Sequence, residues 1–134
     1  MTMTTTTVYN AADVHITVDG RTIQGFQDGD MFTASFKEDR VQTSVDAQGY
    51  ASVALNANRL GQVTINLSGE SPDHKFLNNL AKSNKIFPIV ATSTNEKISG
   101  TQAIITKPAN VSYGKTTPTR TYTIEVLDMS IDAL

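Results

Sequence analysis

The stretch Gly61 to Lys82, GQVTINLSGESPDHKFLNNLAK, narrows the choice of fold more than any other in this chain. In its first half Val63, Ile65 and Leu67 alternate with Thr64, Asn66 and Ser68. That period of two marks a strand with one apolar and one polar face. The alternation breaks at Ser68-Gly69-Glu70 and the period changes. Ser71 can cap a helix, and Pro72 suits a first helical position, where no N–H bond is needed. Phe76, Leu77, Leu80 and Ala81 then share a face at helical spacing. Lys82 and Lys85 sit near the C-terminal end, where the helix dipole favours cations. One α-helix is therefore expected over about residues 71–83, and no other segment carries a convincing helical period. A single amphipathic helix in a β-protein must lie on a sheet or across its opening, so this one is expected to flank or plug the core.

The remaining chain reads as strands. Val14, Ile16 and Val18 alternate ahead of Asp19-Gly20 and Arg21 to Gln24, a strong hairpin signal. Gly25 to Asp30 reads as a loop, with Gly29 free to take a positive φ. Phe32, Ala34 and Phe36 share one face, Val41, Thr43 and Val45 another, and Ala51, Val53 and Leu55 a third. Asp46 to Gly49 has the composition of a tight turn, with Gly49 at a left-handed position. Ile86 to Thr92 is a strand whose Pro88 points to an edge or a strand start. Ile98 to Lys107 is another, bent or bulged at Gly100, and Thr119 to Met129 alternates cleanly. The sum is about eight strands and one helix. The fold class is mainly β, an antiparallel β-sandwich or barrel with one flanking α-helix. Residues 37–49 and 108–118 read as long loops, and residues 1–8 and 130–134 as flexible ends.

At 134 residues the chain fits one domain, 1–134, able to build a core without disulfides. It has no cysteine, which excludes disulfides, thiolate metal sites and a cysteine nucleophile. A net charge of -2 gives no general attraction to nucleic acid or to an anionic membrane. No apolar run nears the ~20 residues of a membrane span, and MTMTTTT lacks the features of a signal peptide. The charge is uneven: residues 1–50 carry seven acidic and three basic side chains. That suits a solvated surface, and equally a polar wall that must not grip DNA.

Reactive chemistry is hard to find. His15 and His74 stand in no metal-ligand spacing, and both read as surface or structural residues. Asp28-Gly29-Asp30 and Glu38-Asp39 lack the register of a calcium loop. Gly25 and Gly29 are not followed by the Lys-Ser/Thr of a phosphate loop. Tryptophan is absent, which weakens a sugar-binding sandwich. No cofactor, metal or catalytic residue is assigned. The strands instead carry second faces of small polar residues, among them Thr33, Ser35, Gln42, Ser44, Ser52 and Asn56. Such a face meets water, a water-filled space or another chain. The chain reads as a building part.

Several residues in order carry a family resemblance. They are the charged Lys37-Glu38-Asp39-Arg40, Val45 to Gly49 (VDAQG), Asn56 to Gly61 (NANRLG), the strand Val63 to Leu67, Ser71 to Leu80 (SPDHKFLNNL) and Ile86-Phe87-Pro88. Over most of residues 10–130 the chain resembles the tail-tube proteins of contractile-tailed bacteriophages, whose fold is shared by the tube proteins of type VI secretion. The resemblance implies six-membered rings stacked into a tube, an inner β-barrel to which each subunit gives strands, and DNA passing through without sequence-specific binding. It implies a virion location in the phage tail after assembly in the host bacterial cytoplasm, with sheath, baseplate and tail-terminator proteins as partners beside the chain itself. Lys37, Glu38, Asp39, Arg40, Asp46 and Gly49 are then expected to reach a neighbouring subunit or ring. Gln42, Ser44, Ser52 and Asn56 are expected to face the lumen. The strands around 31–37, 41–46, 50–56 and 62–68 are expected to supply most of the inner wall, their apolar faces packed on the core and their polar faces meeting water. Competing readings are a secretion or other contractile-injection tube, a small-ligand-binding β-barrel with an apolar pocket, and an enzyme on a β-sandwich.

Overall fold

Strand β6, Gly61–Ser68, alternates without exception between buried and half-buried residues. In the computed structural model, which describes residues 8–134, Val63, Ile65 and Leu67 are fully buried. Burying each such side chain contributes about 1.5–3 kcal/mol. β6 pairs antiparallel with β3, Phe32–Phe36, on one side and with β9, Thr119–Val126, on the other. The further strands are β1 (His15–Val18), β2 (Arg21–Thr22), β4 (Val41–Val45), β5 (Ala51–Leu55), β7 (Phe87–Thr92), β8 (Glu96–Lys107) and β10 (Ser130–Ala133). One sheet runs in the order β2-β1-β7-β8-β9-β6-β3, with β10 also on β8, and every pairing is antiparallel. β4 and β5 form a separate two-stranded sheet. The fold is mainly β with one α-helix.

The long strand β8 makes the sheet turn. Its first residues pair with β7 on one side and β10 on the other, and its last residues pair with β9. Between Phe87 and Ile89 the register with β7 slips, three residues of β8 answering two of β7. The bulge lies at Gly100 to Ala103, where the sequence placed it. Gly100 has no space for a side chain, since a Cβ there would stand 2.2 Å from Val126 Cγ1. The chain leaving β9 crosses this gap at Leu127 to Met129. The Asp128 carboxylate accepts the N–H groups of Thr101 and Gln102, each at 3.0 Å, and the Thr101 hydroxyl. Residues 130–134, expected to be loose, instead supply β10, because β8 is long enough to offer Glu96 to Ser99 as a template.

The inward faces of β1, β6, β7, β8 and β9 form one core with Leu77 and Leu80 of the helix α1, His74–Ser83. The helix begins three residues later than the sequence implies. Ser71 and Pro72 lie in the preceding turn, and Asp73 is the cap residue without capping through its side chain. Its buried carboxylate is drawn instead to Arg21 Nε at 2.5 Å and to the Gln24 N–H at 2.7 Å, locking the segment after β2 to the helix start. At the same end the Tyr122 hydroxyl lies 2.7 Å from His74 Nδ1, tying α1 to β9. Pro88 occupies a strand start rather than an edge, since β7 has a neighbour on both sides. The Asp19-Gly20 hairpin forms with both residues at positive φ, 50° and 81°.

Candidate assembly surface

The β4–β5 hairpin stands apart from the core, and every residue in its two strands is exposed. The sequence suggests that its apolar face packs inward. The structure corrects this: that face looks outward. Val41 lies opposite Leu55, Thr43 opposite Val53 and Val45 opposite Ala51. Val41, Val45, Val53 and Leu55 are 48%, 66%, 63% and 81% exposed, and Tyr50 at the tip is also exposed. The other face carries Gln42, Ser44, Ser52 and Ala54, with Ser44 and Ser52 hydroxyls bonded at 2.6 Å. No third strand pairs with either edge of this arm among the described residues.

Backbone counting explains how the arm attaches. β3 runs on into β4 and β5 runs back into β6. Four residues separate Phe36 from Val41, but five separate Leu55 from Gly61. The extra residue is a bulge in an otherwise continuous long hairpin. It lies on the β5–β6 side, whereas on the β3–β4 side the apolar set itself changes from even positions in β3 (32, 34, 36) to odd positions in β4 (41, 43, 45). Along β5 and β6 the odd positions stay apolar throughout.

The residues expected at a subunit contact gather at the two ends of this arm. Lys37 pairs with Glu125 of β9, anchoring the base to the body. Glu38 accepts the Asn56 side-chain amide at 2.8 Å, and the carbonyls of Asp39 and Arg40 accept the side-chain and backbone N–H of Asn56. At the tip, Asp46 Oδ1 accepts the N–H groups of Gln48 and Tyr50, each at 2.9 Å, and Gly49 has φ 86°. Residues 37–49 are thus the outgoing half of a built arm and not a plain loop. Of the residues expected at a lumen, Gln42, Ser44 and Ser52 share the polar face, whereas Asn56 is held half-buried at the base. The sequence offered one overlooked signal for the arm, the parity switch between residues 36 and 41.

Elsewhere, the segment 108–118 is held by Arg120. Its buried guanidinium donates to the carbonyls of Ser112 and Thr119 and lies 5.2 Å from the Tyr113 ring centre. Among the described residues no group of three or more His, Asp or Glu side chains could hold a metal ion. No helix there is long and apolar enough to cross a membrane.

Solved structures share this fold at low identity. The tail of the empty gene transfer agent particle, refined with C6 symmetry, matches with TM-score 0.70 at 14% identity, over 95% of this chain and 99% of that one. A chain of the sheath-tube complex of an extracellular contractile injection system matches with TM-score 0.62 at 13% identity, over 93% and 91%. Hcp1 from Flavobacterium johnsoniae matches with TM-score 0.53 at 16% identity, over 88% and 93%. No curated protein matches the sequence. A family model, described as "Bacteriophage PhiTE tail tube protein", matches residues 4–129. Nearly the whole chain lies within that match, and the chain belongs to this family of phage tail tube proteins.

Proposed function

We propose that this chain is the repeating subunit of the inner tube of a contractile phage tail, assembled as stacked six-membered rings through which DNA is delivered. The observation that carries the reading is the β4–β5 arm. A two-stranded hairpin is marginal alone in water. An apolar face and two open edges on a free chain are liabilities that another chain must cover. Identical subunits meeting head to tail close into rings or continue as filaments, so the covering chain is a second copy. Lys37, Glu38, Asp39, Arg40, Asp46 and Gly49 then shape the arm that reaches a neighbour. Gln42, Ser44 and Ser52, on the side away from the apolar face, stay wet and are the arm's candidates for the passage. DNA moves through without sequence-specific binding, since a wall short of cations gives phosphates little to hold. Sheath, baseplate and terminator proteins would complete the tail, in a virion put together in the bacterial cytoplasm. The role is structural and requires no catalytic group. A secretion or other injection tube is the second reading, favoured by the likeness in fold to Hcp1.

The test replaces residues 41–55 by a short Gly-Ser turn. The expected product keeps its cooperative thermal unfolding and stays monomeric where the full chain forms rings or tubes. Tubes of unchanged yield from the armless chain would contradict the role given to the arm.

A further inference from the structure

The end of β8 carries a lysine onto the polar face of the sheet. β8 pairs Ile105 with Ile124 and then Lys107 with Thr123, so Thr106 is an extra residue between them. In an unbroken ladder Lys107 would stand on the core side, but the bulge puts it on the side of Thr123. That side is the uncharged face on which Thr119, Thr121 and Thr123 stand opposite Ser68, Asn66 and Thr64 of β6. There Lys107 borders a hollow of about 230 Å³, whose other polar lining is Asn110, Ser112, Thr119, Thr121 and Thr123. We propose that this hollow holds one phosphodiester group of a nucleic-acid backbone. The inference rests on the tube reading and names a point where the wall of the passage meets DNA.

The charge around the hollow is of one sign. No lining residue is acidic, and Lys107 forms no ion pair among the described residues. Arg120 stands behind the wall. Its buried guanidinium donates to the carbonyls of Ser112 and Thr119, both lining residues, and it too forms no ion pair among the described residues. A buried cation without a counter-ion is costly, and its field reaches the hollow in front of it. An anion seated there would offset both Arg120 and Lys107.

The donors suit a phosphate better than a carboxylate. A guanidinium fork would match a planar carboxylate, but Arg120 has turned Nη1 to the two backbone carbonyls. The hollow is offered instead the point charge of Lys107, together with hydroxyls and an amide around it. Thr121 already gives its hydroxyl proton to Asn66 at 2.8 Å, which leaves Asn110, Ser112, Thr119 and Thr123 as donors. A water takes roughly 30 Å³, so there is room for the group and part of its hydration. A contact to phosphate carries no sequence information, and one cation per subunit keeps it weak enough to release.

Dimethyl phosphate is the probe, since it is a phosphodiester without bases. Titrated into the purified chain and followed by amide NMR, it should give saturable shifts at Asn110, Ser112, Thr121 and Thr123 that weaken as salt is raised. Lys107→Gln should weaken binding roughly tenfold or more. Lys82→Gln, on the helix, should bind as the parent does. Both variants change exposed side chains, so both should fold. Acetate binding more tightly than dimethyl phosphate would overturn the proposal in favour of a carboxylate from a neighbouring protein. The absence of a saturable shift, or a shift untouched by Lys107→Gln, would sink it outright. These outcomes need no assembly, so they leave the tube reading standing. A chain that binds dimethyl phosphate but never forms rings or tubes, even from seeds, would overturn the tube reading and the site's place on a passage wall.

Discussion

Val41 lies directly across from Leu55 in the β4–β5 ladder, and both side chains face solvent, 48% and 81% exposed. In a monomer this pair does nothing for the core. In the proposed assembly its apolar partners come from another copy, which makes it a probe that separates folding from assembly.

Val53→Asp puts a charge in the middle of the same face. As a change at a 63% exposed position, it should leave the unfolding free energy within about 0.5 kcal/mol of the parent. Burying that carboxylate against an apolar neighbour is costly, so tube formation should be lost. Urea unfolding and light scattering on the same sample check both halves.

Leu77→Ala tests the helix as part of the core. Leu77 is fully buried between α1 and the sheet. Truncation of such a leucine costs about 2–5 kcal/mol. The midpoint in urea should fall by a corresponding amount with little change in slope.

The Tyr122 phenol is pushed up to about 12, chiefly by burial, against the opposing pull of the Arg120 cation. The raised value means the native state holds this proton after the unfolded chain has released it. The contribution to stability is complete below the ordinary value of 10.0 and is lost as pH rises towards 12. Thermal melts should fall across that window in the parent and fall less in Tyr122→Phe. At neutral pH the same variant should cost about 0.5–1.5 kcal/mol for the lost bond to His74.

The Thr101 hydroxyl, then the backbone N–H groups of Gln102 and Thr101, hold the Asp128 carboxyl below its ordinary 3.8, partly opposed by desolvation. A lowered value gives stability that is present above 3.8 and lost as pH falls through the native value. Acid should therefore loosen the crossing from β9 to β10 first. Amide hydrogen exchange at Thr101 and Gln102, compared between the parent and Asp128→Asn, reads this directly, with faster exchange expected in the variant.

The sequence made much of the body legible because local chemistry decided it. The alternation of β6, the Asp19-Gly20 turn, the positive φ of Gly49 and the break at Gly100 each follow from a few adjacent residues. The start of α1 was not legible, because Asp73 answers to Arg21 and Gln24, some fifty residues earlier. β10 was hidden because Ser130 to Ala133 has little pattern of its own and pairs only through the length of β8. The arm was misjudged for a different reason. Its alternation is as regular as that of a core strand, and periodicity says which face is apolar, not what covers it. Gln42, Ser44 and Ser52 came out on one face because they share a parity. Asn56 shares it too, yet its amide is engaged at the base by Glu38 and Asp39.

The most direct test of the central claim is negative-stain electron microscopy of the purified chain over a concentration series, with and without pre-formed tube fragments as seeds. The account predicts rings or hollow tubes that lengthen from the seeds. A particle that stays monomeric at high concentration, even with seeds present, would contradict it.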